Sequence, residues 1–524
     1  MKQQQKIVWS GADERKRQSK PFDGEKVYDA CIIGGGVIGC AIARELSRWQ
    51  LSLGLLEMRS DVSEGTSKAN SAIIHAGYDA KPGSEKARTN VAGNQLFEPL
   101  CRELHVPFRR NTSLVVAFSS DGLAGLRELK SRGEINGVDG LSILSQAELR
   151  RREPAIGPSA AGALLAETGG ICSPYELTIA LAAHAVLNGL DLQLNCKVGQ
   201  IRHDGRWFHL QTSRGPVRCQ VLINAAGVYA DTIHNQLSRQ PIEITPRRGE
   251  YWLLDKSVSD AFSATIFQLP TAMGKGILVS PTVDGTMLLG PTAEDIDDKD
   301  DVRTTAQRLD EILRVAAKTW PDLPRGQFIT SFAGLRAHAR QNDFILGEVA
   351  DCPGLINAAG IESPGLTAAP AIGIELARLA ARRLNAPRRS QWQPAWQPPQ
   401  PFRLMETEQR ARAVRDNPAW GRIICRCEQV TEAEIRAAIN RPVGAATVDG
   451  IKRRTRAGMG RCQASFCTPR VLAILSEELG VSRLELTKFG NGSRILTGRI
   501  GETVRSHEPP SADAAAVGQE VSHD

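Results

Sequence analysis

The sequence has no long apolar segment. Among its 524 residues, no apolar run approaches the roughly 18–20 residues that a membrane-spanning helix needs. Residues 1–20 are polar and lack the apolar core of a secretory signal, so we expect a cytoplasmic protein without a signal peptide. Aromatic residues are only 5% of the chain and are not interleaved with basic residues. The net charge of +7 therefore does not by itself indicate nucleic-acid binding.

The sequence also lacks the cysteine pattern of a disulfide-linked secreted domain. The total of eleven cysteines is odd, and seven of them stand singly, several within apolar runs. We interpret those seven as small core residues. The other four form two close pairs, Cys425 with Cys427 and Cys462 with Cys467. In a reducing compartment such pairs indicate a metal site rather than disulfides.

The overall composition, 41% apolar and 23% charged, is that of a globular protein, and the chain is long enough for two or three domains.

A pattern of strand, glycine turn, helix and strand occupies Tyr28–Glu57. The apolar run Ala30–Ile33 leads into the turn Gly34–Gly39, and a second apolar run, Leu51–Leu56, ends at an acid 18 residues after the last glycine. This order is typical of a dinucleotide-binding βαβ unit.

Each part of this unit has a physical role in binding a dinucleotide. Gly34 makes the tight turn, Gly36 lets a pyrophosphate approach the backbone, and Gly39 lets the helix pack close to the strand. The helix N-terminus offers free N–H groups to the phosphates. Glu57 can accept hydrogen bonds from the ribose hydroxyls. The motif does not separate FAD from NAD, and its alternative is a glycine-rich turn in another α/β unit.

Two further glycine-rich segments follow strands, at Asn224–Gly227 and within Leu355–Leu384. Three separated contacts of this kind around one ligand predict a discontinuous cofactor domain. The stretch Glu64–Phe97 is rich in small polar residues, so we expect it either to lie along the cofactor or to form a surface loop.

The rest of the chain is predicted to divide by composition. Short strands with turns predict an antiparallel sheet inserted at about residues 106–160 and 241–330. Residues 1–26 are expected to be a loose arm. The proline-rich residues 386–420 predict a linker or wrapping segment, residues 421–479 a compact domain, and the polar residues 506–524 a disordered tail.

The cysteine spacing favours an iron–sulfur cluster over zinc. Structural zinc sites usually pair cysteines two to four residues apart, which the pair Cys425-x-Cys427 fits less well. Four thiolates suit a [2Fe–2S] cluster, which needs two per iron. Zinc and unligated thiols are the alternatives. The basic run Lys452–Arg461 between the pairs would stabilise an anionic cluster, or would form a solvated helix face or a nucleic-acid patch.

These stretches resemble two known families. Residues 27–385 resemble the FAD-dependent oxidoreductases of the D-amino-acid-oxidase/glycerol-3-phosphate dehydrogenase group, and residues 421–475 resemble the bacterioferritin-associated-ferredoxin-like [2Fe–2S] domain. The segments that carry the first resemblance are GGGVIG (Gly34–Gly39), GTSKANSAIIHAG (Gly65–Gly77), NAAG (Asn224–Gly227), FAGLRA (Phe332–Ala337) and NAAGIESPGLTAAPAIG (Asn357–Gly373). The second is carried by Cys425, Cys427, RAGMGRCQ (Arg456–Gln463) and Cys467.

The resemblance implies an α/β fold: a discontinuous Rossmann-type FAD-binding domain, an inserted antiparallel-sheet substrate domain and a small helical [2Fe–2S] domain. It implies that the four cysteines hold the cluster. The residues it implies at the FAD are Gly34, Gly36, Val37, Ile38, Gly39, Glu57, Thr66, Ser67, Asn70, Ser71, Val198, Ala226, Gly227, Gly334, Gly360, Gly365, Leu366 and Thr367.

The resemblance also changes the interpretation of His75, which alone could be a buried core histidine. In the family, the matching histidine lies beside the isoalloxazine ring, where a base must take the hydroxyl proton as hydride leaves carbon. Arg336 is expected to act in catalysis by binding a carboxylate or phosphate. The alternative for Arg336 is a surface ion pair. Arg248 and Tyr251 are further candidates for substrate binding, and Tyr251 could instead be a core residue.

We therefore expect an FAD-dependent dehydrogenase that oxidises a small anionic alcohol, foremost sn-glycerol 3-phosphate, and passes electrons through a [2Fe–2S] cluster. The segments Asn70–Ala87 and Arg247–Trp252 resemble L-2-hydroxyglutarate oxidases, so a 2-hydroxy acid is an alternative, as are an amino acid and a non-catalytic electron-transfer subunit. The expected partner is a flavoprotein or a membrane quinone-linked acceptor subunit, through which the chain could lie at the inner membrane. We expect no nucleic-acid partner.

Overall fold

The structure is a computed structural model that describes residues 10–13, 18, 20–269, 276–490, 492–498 and 500. Its strands are β1 (Lys26–Ile33), β2 (Leu53–Leu56), β3 (Ile73–Ile74), β4 (Phe108–Arg109), β5 (Ser113–Ala117), β6 (Leu141–Ser145), β7 (Gly162–Ala166), β8 (Gly170–Cys172), β9 (Leu190–Gln193), β10 (Val198–His203), β11 (Phe208–Thr212), β12 (Gly215–Asn224), β13 (Ile244–Leu254), β14 (Thr265–Gln268), β15 (Leu278–Pro281), β16 (Met287–Gly290), β17 (Glu294–Asp295), β18 (Phe328–Ala339), β19 (Ile345–Glu348), β20 (Leu355–Ala359), β21 (Ile423–Cys425) and β22 (Val430–Thr431).

The helices alternate with these strands. They are α1 (Val37–Leu46), α2 (Glu85–Leu104), α3 (Gly122–Ile135), α4 (Gln146–Arg152), α5 (Pro174–Leu187), α6 (Ala230–His234), α7 (Ala306–Thr319), α8 (Gly365–Arg383), α9 (Thr407–Asp416), α10 (Glu432–Ile439), α11 (Val448–Thr455) and α12 (Thr468–Leu479). None of the helices in the described ranges is both long and apolar enough to cross a membrane.

The first sheet has eight strands and forms the centre of the cofactor domain. Its main path runs β10-β11-β12-β1-β2-β9, with β20 beside β12 and β19 beside β20. Strand β1 pairs in parallel with β2 and β12, in the register Cys31↔Gly54 and Cys31↔Leu222. Its apolar residues are buried because α1, α5 and α8 pack over the sheet, and Ile32, Ile42 and Ile372 meet in one core. The Rossmann-type prediction is confirmed.

The second sheet has nine strands drawn from two separate parts of the chain. Its path runs β17-β13-β16-β15-β14-β5-β7-β6, and β18 pairs with β13 along eleven positions from Ile244↔Ala339 to Leu254↔Phe328. The pairs are antiparallel except β14 with β5, where Thr265 lies opposite Ser113 in parallel. The predicted inserted sheet is present. Strands β5 and β14 are not joined by a hairpin, because the chain forms β9–β12 of the first sheet between them, and they pair in parallel.

Helix α2 is one of the elements that the sequence interpretation missed. It begins within the stretch Glu64–Phe97, which we expected to be extended backbone or a loop. Ser84 caps its N-terminus, accepting a hydrogen bond from the Ala87 N–H. The inward face of its first half carries buried asparagines, Asn90 and Asn94, and buried apolar residues follow in its second half. Because the asparagine amides bond backbone carbonyls, the first half does not show the hydrophobic period that predicts a helix.

The ends of the cofactor domain are more ordered than expected. Gln18, in the arm expected to be loose, is buried and bonds the backbone of Leu192 and Leu194, at 2.8 and 2.7 Å. The proline-rich segment wraps the first sheet, since Trp392 stacks against Arg48 and His184. It is followed by helix α9, which we did not predict. The predicted tail at residues 506–524 lies outside the described residues.

The C-terminal domain is small and mainly helical. Helices α10, α11 and α12 surround a core that includes Ile435, Ile451 and Leu475, and a short hairpin, β21 with β22, completes it. Thr431 and Glu434 form a capping box at the start of α10. Of its four cysteines, Cys425 and Cys467 are buried in this core, whereas Cys427 is exposed and Cys462 is half-buried.

Candidate functional site

The glycine turn after β1 is shaped for a dinucleotide. Gly34 has a φ of +110°, and a Cβ there would lie 2.3 Å from the carbonyl oxygen of Ala225, so only glycine fits. Helix α1 begins after Gly36, which provides no side-chain cap, and Ser67 Oγ accepts the Val37 N–H at 2.9 Å. The N–H groups of Ile38 and Gly39 have no partner within the helix by its geometry. The turn and helix terminus therefore fit a pyrophosphate.

Glu57 follows β2 and holds the turn from its other side. Its carboxylate accepts the N–H of Gly35 and the N–H of Arg59, both at 2.7 Å. Burial raises the pKa of Glu57, and these two hydrogen bonds oppose that shift. The position at the carboxyl end of a strand beside the turn is the one that a ribose-binding acid occupies in such units.

The segment after the first βαβ unit ties the cofactor turn to the second sheet. Thr66 Oγ1 donates to the Leu335 carbonyl. The Asn70 amide donates to the carbonyls of Thr66 and Ser67, at 3.1 and 3.0 Å. Ser71 Oγ lies 3.2 Å from Tyr251 Oη. This segment thus lies between the turn and the sheet expected to cover the flavin.

The remaining predicted FAD residues lie at the ends of strands of the first sheet or in the second sheet. Ala226 and Val198, the first residue of β10, each pack against the same buried cluster beside the first sheet. Gly227 and Gly360 follow β12 and β20 with φ values of +58° and +65°. Helix α8 starts after Pro364, which provides no side-chain cap. Gly365, Leu366 and Thr367 form its first turn, and Gly334 lies in β18.

His75 follows β3 and is held through its backbone. Its N–H donates to Thr367 Oγ1 at 2.9 Å, and its carbonyl accepts from the Asn94 amide at 2.9 Å. The half-buried imidazole places Nε2 3.2 Å from Ser363 Oγ, at the N-terminal end of α8. The ring is therefore positioned beside the first turn of α8, where the family's motifs meet.

An ionic cluster adjoins Ser363. Glu362 accepts from Lys86 Nζ at 2.8 Å and lies 3.0 Å from His338 Nδ1. Burial tends to raise the pKa of Glu362, but Lys86 and the hydrogen bond with His338 outweigh it and hold that pKa below its usual value. His338 is two positions from Arg336 in β18, so both side chains leave the same face of the sheet.

Arg336 lies on the face of the second sheet that meets the cofactor segment. Its Nη2 donates to the Thr292 carbonyl at 3.1 Å. A Cβ at Gly249 would stand 2.6 Å from that Nη2, so the glycine makes the room that the guanidinium occupies. Arg247 is opposite Arg336 in the β13–β18 register and pairs with Asp295 at 2.6 and 2.9 Å. Arg336 and Arg247 thus lie side by side on this face of the second sheet, and Asp295 pairs with Arg247.

Tyr251 and Arg248 lie on opposite faces of the second sheet. Tyr251 shares the face of Arg336, is buried, and stacks on Phe332 with ring centroids 4.7 Å apart. Arg248 leaves the opposite face and is also buried, with its guanidinium 2.7 Å from Glu294 and 2.8 Å from Asp301. The structure does not bring Arg248 together with His75, because strand alternation turns it towards α7. We therefore do not propose Arg248 as a substrate-binding residue.

Sequence reasoning missed several residues near His75, namely Lys86, His338, Glu362 and Ser363. Three of them had a signal in the sequence, because His338 lies in phase with Arg336 on one strand, and Glu362 and Ser363 fall inside the segment Asn357–Gly373. Lys86 lies in the segment Asn70–Ala87, but the helix that presents it was not predicted.

The four cysteine thiols converge as two pairs. Cys427 Sγ and Cys462 Sγ are 3.5 Å apart, and Cys425 and Cys467 belong to one buried cluster. The Cys467 side chain and the backbone N–H groups of Gly458 and Glu428 lower the pKa of Cys425. Within the described ranges no three or more His, Cys, Asp or Glu side chains surround a single ion position. Two thiolates for each of two irons, with N–H donors to sulfur, fit a [2Fe–2S] cluster.

The basic run beside the cysteines contacts the cofactor domain instead of solvent. Arg456 pairs with Glu428 at 2.8 Å and with Asp284 of the second sheet at 2.6 Å, and it donates to Tyr175 Oη at 3.2 Å. Lys256 pairs with the same Glu428 at 2.8 Å. These ion pairs dock the small domain on the large one.

A cavity of about 270 Å³ lies where α5, the proline-rich segment and α10–α11 meet. Glu176, Trp396 and Arg441 are among its lining residues. It is remote in the fold from His75 and Arg336, neither of which lines it, so we do not assign it to the substrate.

Comparison with known families agrees with these two sites. A family model described as FAD dependent oxidoreductase matches residues 29–379, and one described as BFD-like [2Fe-2S] binding domain matches residues 423–477.

Relatives of known description cover most of the chain. A glycerol 3-phosphate dehydrogenase of Caloramator mitchellensis is 47% identical over 475 residues, which are 90% of this chain and 98% of that protein. A mitochondrial L-2-hydroxyglutarate dehydrogenase of Arabidopsis thaliana is 29% identical over 67% of this chain and 82% of its own length. The structure of the L-alpha-glycerophosphate oxidase of Mycoplasma pneumoniae with FAD bound superposes with a TM-score of 0.68 at 32% identity, covering 72% of this chain and all of that one.

Proposed function

The chain belongs to the FAD-dependent oxidoreductase family and carries a BFD-like [2Fe–2S] domain, and from this premise we propose that it is a dehydrogenase of sn-glycerol 3-phosphate. The observation that carries the proposal is the cationic group around Arg336 on the sheet face beside His75. Such a group suits the phosphate of a small alcohol. The 47% identity to a glycerol 3-phosphate dehydrogenase supports the same substrate.

The side chains divide the work of the reaction as follows. Arg336 binds the phosphate oxygens with charge-assisted hydrogen bonds, and Arg247 adds positive charge beside it. His75 takes the proton of the C2 hydroxyl, and Ser363 orients the imidazole through its contact with Nε2. The C2–H bond breaks as hydride, so the alcohol becomes a ketone and loses two electrons. FAD, when bound, supplies the hydride acceptor.

The chain's own residues also position the second redox centre. The four cysteines would hold the cluster, which when bound supplies a one-electron carrier, and the ion pairs of Arg456 keep that domain against the large one. We propose that the electrons leave to a partner flavoprotein or a quinone-linked acceptor subunit. Any attachment at a membrane would then be through that partner.

A second candidate substrate is L-2-hydroxyglutarate, favoured by the 29% identity to the dehydrogenase of Arabidopsis thaliana. The same arginine would then bind a carboxylate. The test is anaerobic bleaching of the flavin absorbance with glycerol 3-phosphate, L-2-hydroxyglutarate, lactate and several amino acids. Rapid bleaching by glycerol 3-phosphate alone is the expected result. Bleaching by a different compound would reassign the substrate, and bleaching only by a reduced protein would indicate an electron-transfer subunit.

A further inference from the structure

The two thiol pairs differ in their access to solvent. Cys425 and Cys467 are buried, with 2% and 3% of their surfaces exposed. Cys427 is exposed and Cys462 is half-buried. Because Cys427 and Cys462 lie 3.5 Å apart, they form one edge of the cysteine site, and this edge faces outwards.

Phe466 stands beside that edge with 82% of its surface exposed. A single exposed apolar side chain needs no explanation by itself. This one lies between two cluster ligands, directly before Cys467 and four residues after Cys462. A phenyl ring left in water at a redox centre is the kind of aromatic anchor around which protein interfaces concentrate their binding energy.

Uncompensated positive charge lies in the same cysteine-bearing segments as the ring. Arg426, between the first two cysteines, and Arg470, after the last, are exposed and pair with no acidic side chain among the residues the structure describes. Arg461 is also exposed, although Asp255 lies 2.9 Å from it. The segments 422–429 and 461–470 contain one acid, Glu428, and it is buried and already paired.

We propose that Arg426, Cys427, Phe466 and Arg470 form a cluster face that docks a protein electron acceptor with an acidic contact surface and an apolar pocket for the Phe466 ring. This rests on the proposed function, which brings electrons to the cysteine site. Opposite charge raises the rate of encounter and orients the partner, while the ring fixes its position. Each docking event moves one electron and no proton, so two events remove the two electrons of one alcohol.

A protein fits this face better than a lipid surface does. Electrostatic binding to anionic lipid takes clusters of about four to eight basic residues, or a helix with a broad apolar face. Here two unpaired arginines flank one ring. Redox partners make small interfaces, below about 1,200 Å², for which an anchor and a few charges suffice.

The test uses the full-length protein with FAD and cluster, reduced by dithionite and freed of excess reductant, so that it does not depend on the alcohol substrate. The acidic probe is the haem domain of cytochrome b5, and the basic probe is horse cytochrome c. We expect the second-order rate of cytochrome b5 reduction to fall as salt rises, and that of cytochrome c to rise. Binding of the oxidised proteins, measured by sedimentation, should show the same order.

The variant Arg426→Glu/Arg470→Glu should reduce cytochrome b5 at least tenfold more slowly, and Phe466→Ser should weaken its binding even at high salt. Arg483→Glu, an exposed arginine of the same domain away from the cysteines, is the matched control. Visible circular dichroism verifies the cluster in each variant. Equal effects of the double variant and the control would overturn the proposal. So would binding of phosphatidylglycerol vesicles that is lost in Phe466→Ser while cytochrome b5 binding is unchanged.

If glycerol 3-phosphate fails to bleach the flavin while these dithionite experiments succeed, the proposed substrate falls and the docking face stands. If glycerol 3-phosphate bleaches the flavin while the cytochrome b5 experiments fail, the docking face falls and the proposed substrate stands.

Discussion

Arg454 donates a hydrogen bond to each carboxylate oxygen of Asp61, at 2.7 and 2.8 Å. Asp61 follows Glu57 by four residues, and the nearby Ser63 N–H bonds the carbonyl of Gly35 in the glycine turn at 2.9 Å. The pair therefore joins the domain that carries the four cysteines to the loop beside the glycine turn. Arg453 reinforces it with a bond of 2.9 Å to the same carboxylate.

We predict that Asp61→Asn loosens the docking of the small domain. The substitution leaves the buried Arg454 guanidinium without its carboxylate and leaves Arg453 with that of Glu64 alone. Breaking a buried pair of this kind costs about 3–5 kcal/mol. The visible circular dichroism of the cluster should then be lost at a lower temperature than in the parent protein. Asp449→Asn, which removes a more exposed pair with Lys488, is the control and should change little. An unchanged transition in Asp61→Asn would contradict the role of the pair.

The same pair predicts a pH range for docking. Burial raises the pKa of Asp61, but Arg454 and Arg453 outweigh it and lower that pKa to about 2. A carboxyl whose folded pKa is depressed stabilises the folded state above its unfolded pKa and loses this contribution as pH falls through the folded value. Between pH 5 and 9 the Asp61 contribution should therefore be constant. A difference between parent and Asp61→Asn that varies across this range would argue against it.

Replacing His75 by glutamine should slow the chemical step without releasing the cofactor. A general base contributes about 10²–10⁴-fold, and glutamine cannot accept the hydroxyl proton in the same way. The backbone bonds of His75 to Thr367 and Asn94 do not depend on its ring. Stopped-flow bleaching by glycerol 3-phosphate should slow by that factor at full FAD content. Ser363→Ala, which removes only the orienting contact, should slow it less; equal rates in parent and His75→Gln would rule out the base.

Two arginines separated by strand alternation should respond differently to substitution. Arg336→Gln removes a charge-assisted bond worth about 1.5–3 kcal/mol, so KM for glycerol 3-phosphate should rise by about 10–150-fold. Arg248→Met breaks buried pairs with Glu294 and Asp301, so it should lower thermal stability while KM stays within about twofold. A similar KM increase in both would return Arg248 to the substrate site. Steady-state kinetics with thermal unfolding of each variant decides between them.

These cases show how far the sequence could lead. The turn at Gly34 and the four cysteines follow from local spacing, because short-range geometry alone determines what they can bind. Arg248 could not be placed from the sequence, since a shift of one residue in strand register moves a side chain to the other face.

The partners of the basic run could not be predicted either. Asp61 lies 393 residues from Arg454 along the chain, and Asp284 lies 172 residues from Arg456. We expected these arginines to stabilise an anionic cluster or to face solvent. Docking of one domain on another brought them to acids of the other domain, a relation that no local pattern records.

Glu176, which lines the cavity at the domain junction, gives the last prediction. Burial, helped by Asp284, raises its pKa to about 7, although Ser173 and Arg456 oppose the shift. The unfolded chain ionises near pH 4.5, so the stabilisation is complete below that pH and is lost as pH rises towards 7, by at most about 3 kcal/mol. Glu176→Gln, which cannot ionise, should therefore match the parent in thermal stability at pH 4.5 and exceed it at pH 8. Glu477→Gln removes a carboxylate whose pKa Arg436 lowers and should show no such gain. A gain in Glu176→Gln that is the same at both pH values would mean that the carboxyl is not titrating in the fold.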